Sequence, residues 1–224
     1  MAIDYILKLI FPPKCFGCRR QLPFDTAMEV CKECYEKIPF TDSHTDTMLR
    51  HSLTGCDEVV CVCEYSGSVK EAIKRYKFSN KPCYHRIFAV LLEHKLKKVT
   101  DCRNFDIIVS VPLHKNKLRS RGYNQSQLIA RELGRLLGVR EDSAALVRVR
   151  DTQSQSLISN RDERHENVRD AFAVSDIEKV SLKSVLIIDD IMTTGSTLGE
   201  CCRALKEAGA KKVTAAVIAS GRKY

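Results

Sequence analysis

Val185-Leu186-Ile187-Ile188-Asp189-Asp190-Ile191-Met192-Thr193-Thr194-Gly195-Ser196-Thr197-Leu198 is the stretch on which the fold turns. Four consecutive apolar residues, Val185 to Ile188, read as a strand buried on both faces, which is what a parallel sheet requires. Two adjacent carboxylates close it. A short run of hydroxylated residues around Gly195 leads into a helix with Leu198, Cys201, Cys202, Leu205 and Ala208 along one side, ending at Gly209. A loop feeding a helix N-terminus aims unpaired N–H groups and the positive end of the dipole at one point, so this corner is built to hold a phosphate. Two carboxylates would repel that phosphate. They are expected to take adjoining sugar hydroxyls or a hydrated Mg²⁺. The competing reading is an ordinary corner, because Thr197-x-x-Glu200 also fits a capping box that needs no ligand.

Outward from this stretch, the 224 residues fit one large domain plus a small module. No apolar run reaches the 18 or so residues of a membrane span. Met1 to Phe11 is apolar without a basic start or a small-residue cleavage site, and reads as a short amphipathic helix rather than a signal peptide. Eleven cysteines, an odd number, are expected to be reduced thiols or metal ligands in a cytoplasmic protein.

Cys15-x2-Cys18 and Cys31-x2-Cys34 have the spacing of two knuckles closing a tetrahedral thiolate site. Four soft thiolates leave no open position, so the expected metal is a structural Zn²⁺. Residues 1–45 are assigned to this zinc-binding module and residues 56–224 to the larger domain, with the polar Thr41–Gly55 as linker.

The net charge of +9 is unevenly placed. Residues 70–98 carry nine Lys/Arg against Glu71 and Glu93, on two expected helices, Ser68–Phe78 and Tyr84–Lys98. Tyr76, Phe78 and Tyr84 interleave with these charges, as stacking platforms for single strands do; the plainer readings are a solvated helix face for the charges and core positions for the aromatics. Further strands are expected at Glu58–Tyr65, Phe105–Val111, Leu146–Val149, Phe172–Val174 and Lys212–Ala219. The expected architecture is α/β, a mainly parallel sheet of about five strands flanked by helices. A basic loop, Leu113–Arg121, follows the strand ended by Pro112. It belongs on the ligand edge of such a sheet, where Lys115, Arg119 and Arg121 could hold a pyrophosphate. A P-loop kinase is excluded by the absence of G-x-x-x-x-G-K-[ST].

Ile187 to Thr197 resembles the phosphoribosyl-pyrophosphate (PRPP) loop of type I phosphoribosyltransferases. By that resemblance Asp189 and Asp190 take the ribose hydroxyls, and Thr193, Thr194, Gly195, Ser196 and Thr197 the 5-phosphate, with Mg²⁺ accompanying PRPP. Arg119-Ser-Arg121-Gly122-Tyr123-Asn124-Gln125, joined to the four-cysteine module, is similar to the ComF family, phosphoribosyltransferase-like proteins associated with DNA uptake in natural competence. The resemblance extends over Gln155, Leu157, Arg161, Asn167 and Ala171-Phe172. It implies a mobile flap in the polar stretch Asp151–Asp170, from which Arg161 and Arg164 reach leaving pyrophosphate. Two functions follow: a phosphoribosyltransferase of unnamed acceptor, or a non-catalytic protein that binds PRPP or nucleotide and single-stranded DNA with a helicase partner.

Overall fold

The computed structural model describes residues 12–26, 28–79, 81–150 and 166–222. In chain order the elements are α1 (Lys32–Tyr35), α2 (Ser43–His51), β1 (Glu58–Glu64), α3 (Gly67–Phe78), α4 (His85–Val99), β2 (Ile107–Ser110), α5 (Lys115–Arg121), α6 (Gln125–Leu137), β3 (Leu146–Arg148), β4 (Phe172–Val174), β5 (Ser184–Met192), α7 (Ser196–Glu207) and β6 (Lys212–Ser220). The apolar opening, Met1 to Phe11, lies outside the described residues.

The central sheet is parallel throughout, in the order β1-β6-β5-β2. Outside β2, the place of the fifth expected strand is taken by a single parallel bridge, Ile108 to Glu141. β3 and β4 form a separate antiparallel pair. Alternate residues of each long strand enter opposite layers, because side chains in a strand alternate faces. Leu186, Ile188, Ala216 and Ile218 join one apolar layer with α3, α4 and α6. Val185, Ile187, Val213, Ala215 and Val217 join the other with α7. α6, the second helix after β2, therefore packs on one face and α7, which follows β5, on the other. Neighbouring strands whose crossovers depart to opposite faces leave a crevice at their carboxyl ends, the usual ligand position in such sheets.

β5 does not stop at the two acids. It pairs with β6 as far as Met192, opposite Ser220, whereas its pairing with β2 ends at Ile188 opposite Ser110. Pro112 cannot extend the ladder. Asp189 and Asp190 thus sit on a strand still paired on one edge and open on the other.

Two expectations from composition are corrected. The supposed linker is α2, capped by Asp42, whose carboxylate accepts from the Thr45 N–H at 2.8 Å. Asp46 is buried, accepts the Cys61 N–H at 2.8 Å and pairs with Lys95 Nζ at 3.1 Å. Polar residues here close hydrogen bonds rather than solvate a tether. The supposed basic loop is in part α5, stopped by Gly122 at φ +78°.

Of the two readings of the interleaved aromatics, the core one holds for two of the three. Tyr76 and Tyr84 are core residues, packed edge-on against Phe88 at centroid distances of 5.4 and 6.4 Å. Phe88 also receives Phe16, from between Cys15 and Cys18, at 6.3 Å. Of the three aromatics only Phe78 is exposed, at 74%.

Candidate functional site

The crevice between β2 and β5 is organised by the string Tyr123-Asn124-Gln125-Ser126. Asn124 caps α6, its Oδ1 accepting from the Ser126 N–H at 3.0 Å, while its Nδ2 donates to the Val111 carbonyl at 3.0 Å. One residue thereby fixes both the end of β2 and the start of α6. Ser126 Oγ then donates to Asp189 Oδ1 at 2.8 Å. Asp190 pairs with Lys77 Nζ at 2.8 Å, and Lys77 comes from the penultimate position of α3.

Asp190 is buried, and the adjacent Asp189 is half-buried. Burial first, and then the Asp190 charge, push the Asp189 carboxyl up to about 7. The unfolded chain would release this proton near 3.8 and the folded protein near 7. A raised acid favours folding while protonated, so its contribution is full at low pH and is lost as pH rises through that window. Asp189→Asn should accordingly gain stability relative to the parent between about pH 4 and pH 7 and level off above. Thermal melts of both proteins across that range check this; a constant difference in Tm would contradict it.

Beyond the acids, Thr193, Thr194 and Gly195 turn the chain into α7. Gly195 caps the helix at φ +81°, and no side chain caps it. Thr197 lies inside the helix, so the capping-box alternative does not hold. The positive φ at position 195 favours glycine, and a Cβ there, 2.6 Å from Leu53 Cδ2, would also have to displace the Leu53 side chain. Arg222 donates Nε to the Thr193 carbonyl at 3.0 Å and Nη2 to the Thr194 carbonyl. It occupies two of the loop's carbonyl acceptors. The Thr194 and Ser196 hydroxyls bond each other at 2.9 Å.

The expected pyrophosphate residues divide between two places. Lys115 and Arg119 line a cleft of about 480 Å³ together with His114, Asn124, Arg148 and Arg150. Arg121 instead lies with its guanidinium carbon 5.0 Å from the centre of the Phe78 ring, its Nη1 donating to Gln125 Oε1 at 3.0 Å. Lys117, a member of the same basic run but not one of the expected pyrophosphate residues, lies within electrostatic reach of Asp190. Burial, followed by Arg121, Lys77 and Arg148, depresses its ammonium, and Asp190 opposes them. Arg161 and Arg164 lie outside the described residues.

The four N-terminal cysteines converge, with all four sulfurs within 4.8 Å of one another. Cys15 Sγ to Cys31 Sγ is 3.7 Å and Cys18 Sγ to Cys31 Sγ 3.8 Å. Zn–S bonds of about 2.3 Å give a tetrahedral edge of roughly 3.8 Å, so the donor set and its spacing fit a metal ion. Burial raises the Cys15 thiol, but N–H groups of Cys31, Cys18 and Gly17 outweigh it and bring the thiol to about 7. A Cβ on Gly17 would lie 2.9 Å from Cys34 Sγ, so the knuckle demands glycine. Arg75 of α3 donates Nη2 to the Phe16 carbonyl and ties the knuckle to the larger domain.

Comparison with known proteins places this geometry. Residues 119–224 match the family described as phosphoribosyl transferase domain. Competence protein F of Haemophilus influenzae is 28% identical over 203 residues, covering 89% of this chain and 86% of that protein. DNA utilization protein YhgH of Escherichia coli K12 is 31% identical over 204 residues, with the same coverage of 89% and 86%. Competence protein ComFC of Streptococcus pneumoniae is 32% identical over 153 residues, covering 66% of this chain and 62% of that protein. Among solved structures, the glutamine PRPP amidotransferase of B. subtilis, complexed with ADP and GMP, is 20% identical with a TM-score of 0.43. That match covers 64% of this chain and 30% of that enzyme, so the chain spans under a third of its length.

Proposed function

This chain belongs to the ComF family of phosphoribosyltransferase-like proteins, and from that premise we propose that the corner between β5 and α7 binds PRPP with Mg²⁺ and that the protein serves DNA uptake or utilisation. The observation that carries the reading is the pair Asp189–Asp190, half-buried and buried respectively at the open edge of β5 and followed by a glycine turn into a helix N-terminus.

In this reading the ribose 2- and 3-hydroxyls donate to Asp189 and Asp190, and the 5-phosphate accepts from the N–H groups and hydroxyls of residues 193–197. Ser126 orients Asp189. Lys77 pairs with Asp190 until ligand arrives and is then free to turn towards the substrate's phosphates. Mg²⁺, when bound with PRPP, supplies charge neutralisation for the pyrophosphate; the oxygen-only donor set and the crowding of two carboxylates fit such a hard cation. Lys117 and the cleft residues Lys115 and Arg119 supply further positive charge on the leaving-group side, and Arg161 and Arg164 would add to it. An oxocarbenium-like transition state at C1 of the ribose gains from the same preorganised charge. Zn²⁺ at Cys15, Cys18, Cys31 and Cys34 has a structural role. Release of labelled pyrophosphate from PRPP, assayed with a panel of nucleobases and with single-stranded DNA, tests the transferase reading. Absence of turnover together with absence of PRPP binding would sink it.

A second reading, PRPP or nucleotide binding without turnover and single-stranded DNA binding beside a helicase, is favoured by one observation. Lys70, Lys74, Lys81, Arg86 and Lys98 are all exposed. Lys77 and Arg75, from the same basic window, are engaged with Asp190 and with the cysteine knuckle, so they do not report on DNA alone. Lys70→Glu with Lys74→Glu and Lys81→Glu should weaken single-strand binding and leave PRPP affinity unchanged. Binding by the parent protein should fall with salt at a slope of about −0.7 per phosphate neutralised. Fluorescence anisotropy across a salt series reads both effects; a flat salt response would leave these charges as a solvated face.

A further inference from the structure

We propose that the exposed ring of Phe78, backed by the guanidinium of Arg121, is a platform on which a planar nucleobase stacks beside the Asp189–Asp190 pair. A single exposed apolar side chain needs no explanation. Phe78 differs in how firmly its surroundings hold it. It is the last residue of α3, and the residues before it are locked into the crevice. Lys77 pairs with Asp190 at 2.8 Å. The Tyr76 hydroxyl donates to the Gln125 carbonyl at 2.8 Å, and the Tyr123 hydroxyl donates to the Tyr76 carbonyl. The ring is therefore presented at a fixed place, one residue from the lysine that touches the candidate ribose site, and 74% of it is left to solvent.

Arg121 supplies the second half of the platform. Its guanidinium carbon stands 5.0 Å from the ring centre, a cation–π arrangement, and Gln125 Oε1 holds its Nη1. Gln125 is 1% exposed, and its Nε2 has no partner among the described residues, so hydrogen bonding at this corner is incomplete as it stands. A flat ring and a flat cation adjoining one another suit a flat, electron-rich heterocycle. Lys117 and Lys77 nearby suit the phosphates such a base would carry or meet. This assigns Arg121 a base-facing task in place of the pyrophosphate contact expected of it.

The chemistry recognised is a nucleobase, and two sources would present one: a free base accepting the ribosyl group, or a base of a single strand. The first source rests on the PRPP reading above; the second does not. The test uses 2-aminopurine, whose fluorescence is quenched on stacking, as the free base with and without Mg²⁺ and PRPP, and as an internal base of a short single strand. At least one probe should be quenched by the parent protein. Phe78→Ala should weaken that binding by about fivefold or more, and Phe78→Tyr, which keeps the ring, should restore it. Quenching of the free base only with PRPP identifies an acceptor; quenching of the oligonucleotide without PRPP identifies a strand. Calorimetry of PRPP on the parent and on Phe78→Ala separates the two ideas. PRPP that fails to bind the parent overturns the ribose-site reading and leaves the oligonucleotide to decide on the platform. No quenching of either probe, or equal quenching by Phe78→Ala, overturns the platform.

Discussion

Replacing Asp189 and Asp190 together by Asn should abolish measurable PRPP binding. Each carboxylate, as a charged acceptor of sugar hydroxyls, contributes roughly 1.5–3 kcal/mol. The pair lost together weakens binding by roughly 10²- to 10⁴-fold. The amides keep the shape of the site and can still accept from Ser126, so lost charge rather than lost fold is what the variant reports. Asp190→Asn also leaves Lys77 without its partner at a position whose side chain is 21% exposed. Lys77→Met in the same background removes that complication. Thr193→Ala or Thr197→Ala should cost far less, because the N–H groups of the turn remain. Isothermal calorimetry in the presence of Mg²⁺ reads the series, and an unchanged affinity in the double Asn variant would refute the roles given to these acids.

Loss of the metal from the four-cysteine site should be the largest structural perturbation available to this protein. Structural zinc contributes on the order of 10–16 kcal/mol in small finger peptides. Here the site sits beneath Phe16, which is fully buried against Phe88 in the layer shared with α3 and α4. Cys15→Ser or Cys34→Ser, or prolonged chelation, should therefore melt the N-terminal segment and also lower the Tm of the larger domain. It should unsettle Lys77 and Phe78 through the tie between Arg75 and the knuckle. Elemental analysis should return about one zinc per chain. Purified, well-folded protein without stoichiometric metal would end this reading.

Some of this was legible in sequence because it rests on local patterns. The apolar run of β5, the glycine turn and the apolar side of α7 are neighbours along the chain, and two C-x2-C pairs bring their own geometry. The glycine at position 195 announces its positive φ. What escaped rests on contacts between distant residues. Ser126 and Asp189 are 63 residues apart, and Arg222 reaches back 29 residues to Thr193. Nothing beside Lys77 in the chain marks it as the partner of Asp190, because a basic residue on an amphipathic helix looks the same whether it meets solvent or a carboxylate. Residues 41–55 misled for the opposite reason. Their polarity serves a helix cap and one buried ion pair, and composition does not tell a satisfied polar group from a solvated one. Tyr76 shows the converse: its place among lysines allowed a surface role, while the 3.6-residue period of its helix turns it inward beside Val69, Ala72 and Ile73.

Among the described residues β1 has one strand partner, β6, with Glu58 opposite Thr214 and Glu64 opposite Ser220. During synthesis the first strand of the sheet must therefore wait for the last. The cysteine module emerges early and can capture its metal while the ribosome is still working, but the apolar face of Val59 to Cys63 stays without its ladder until residue 220 has cleared the exit tunnel. Contacts of such long sequence separation close slowly, and an unpaired apolar strand is an invitation to wrong partners in the meantime. A nascent chain arrested before β6 should accordingly bind metal yet lack protease resistance across β1, and acquire it abruptly once β6 is released.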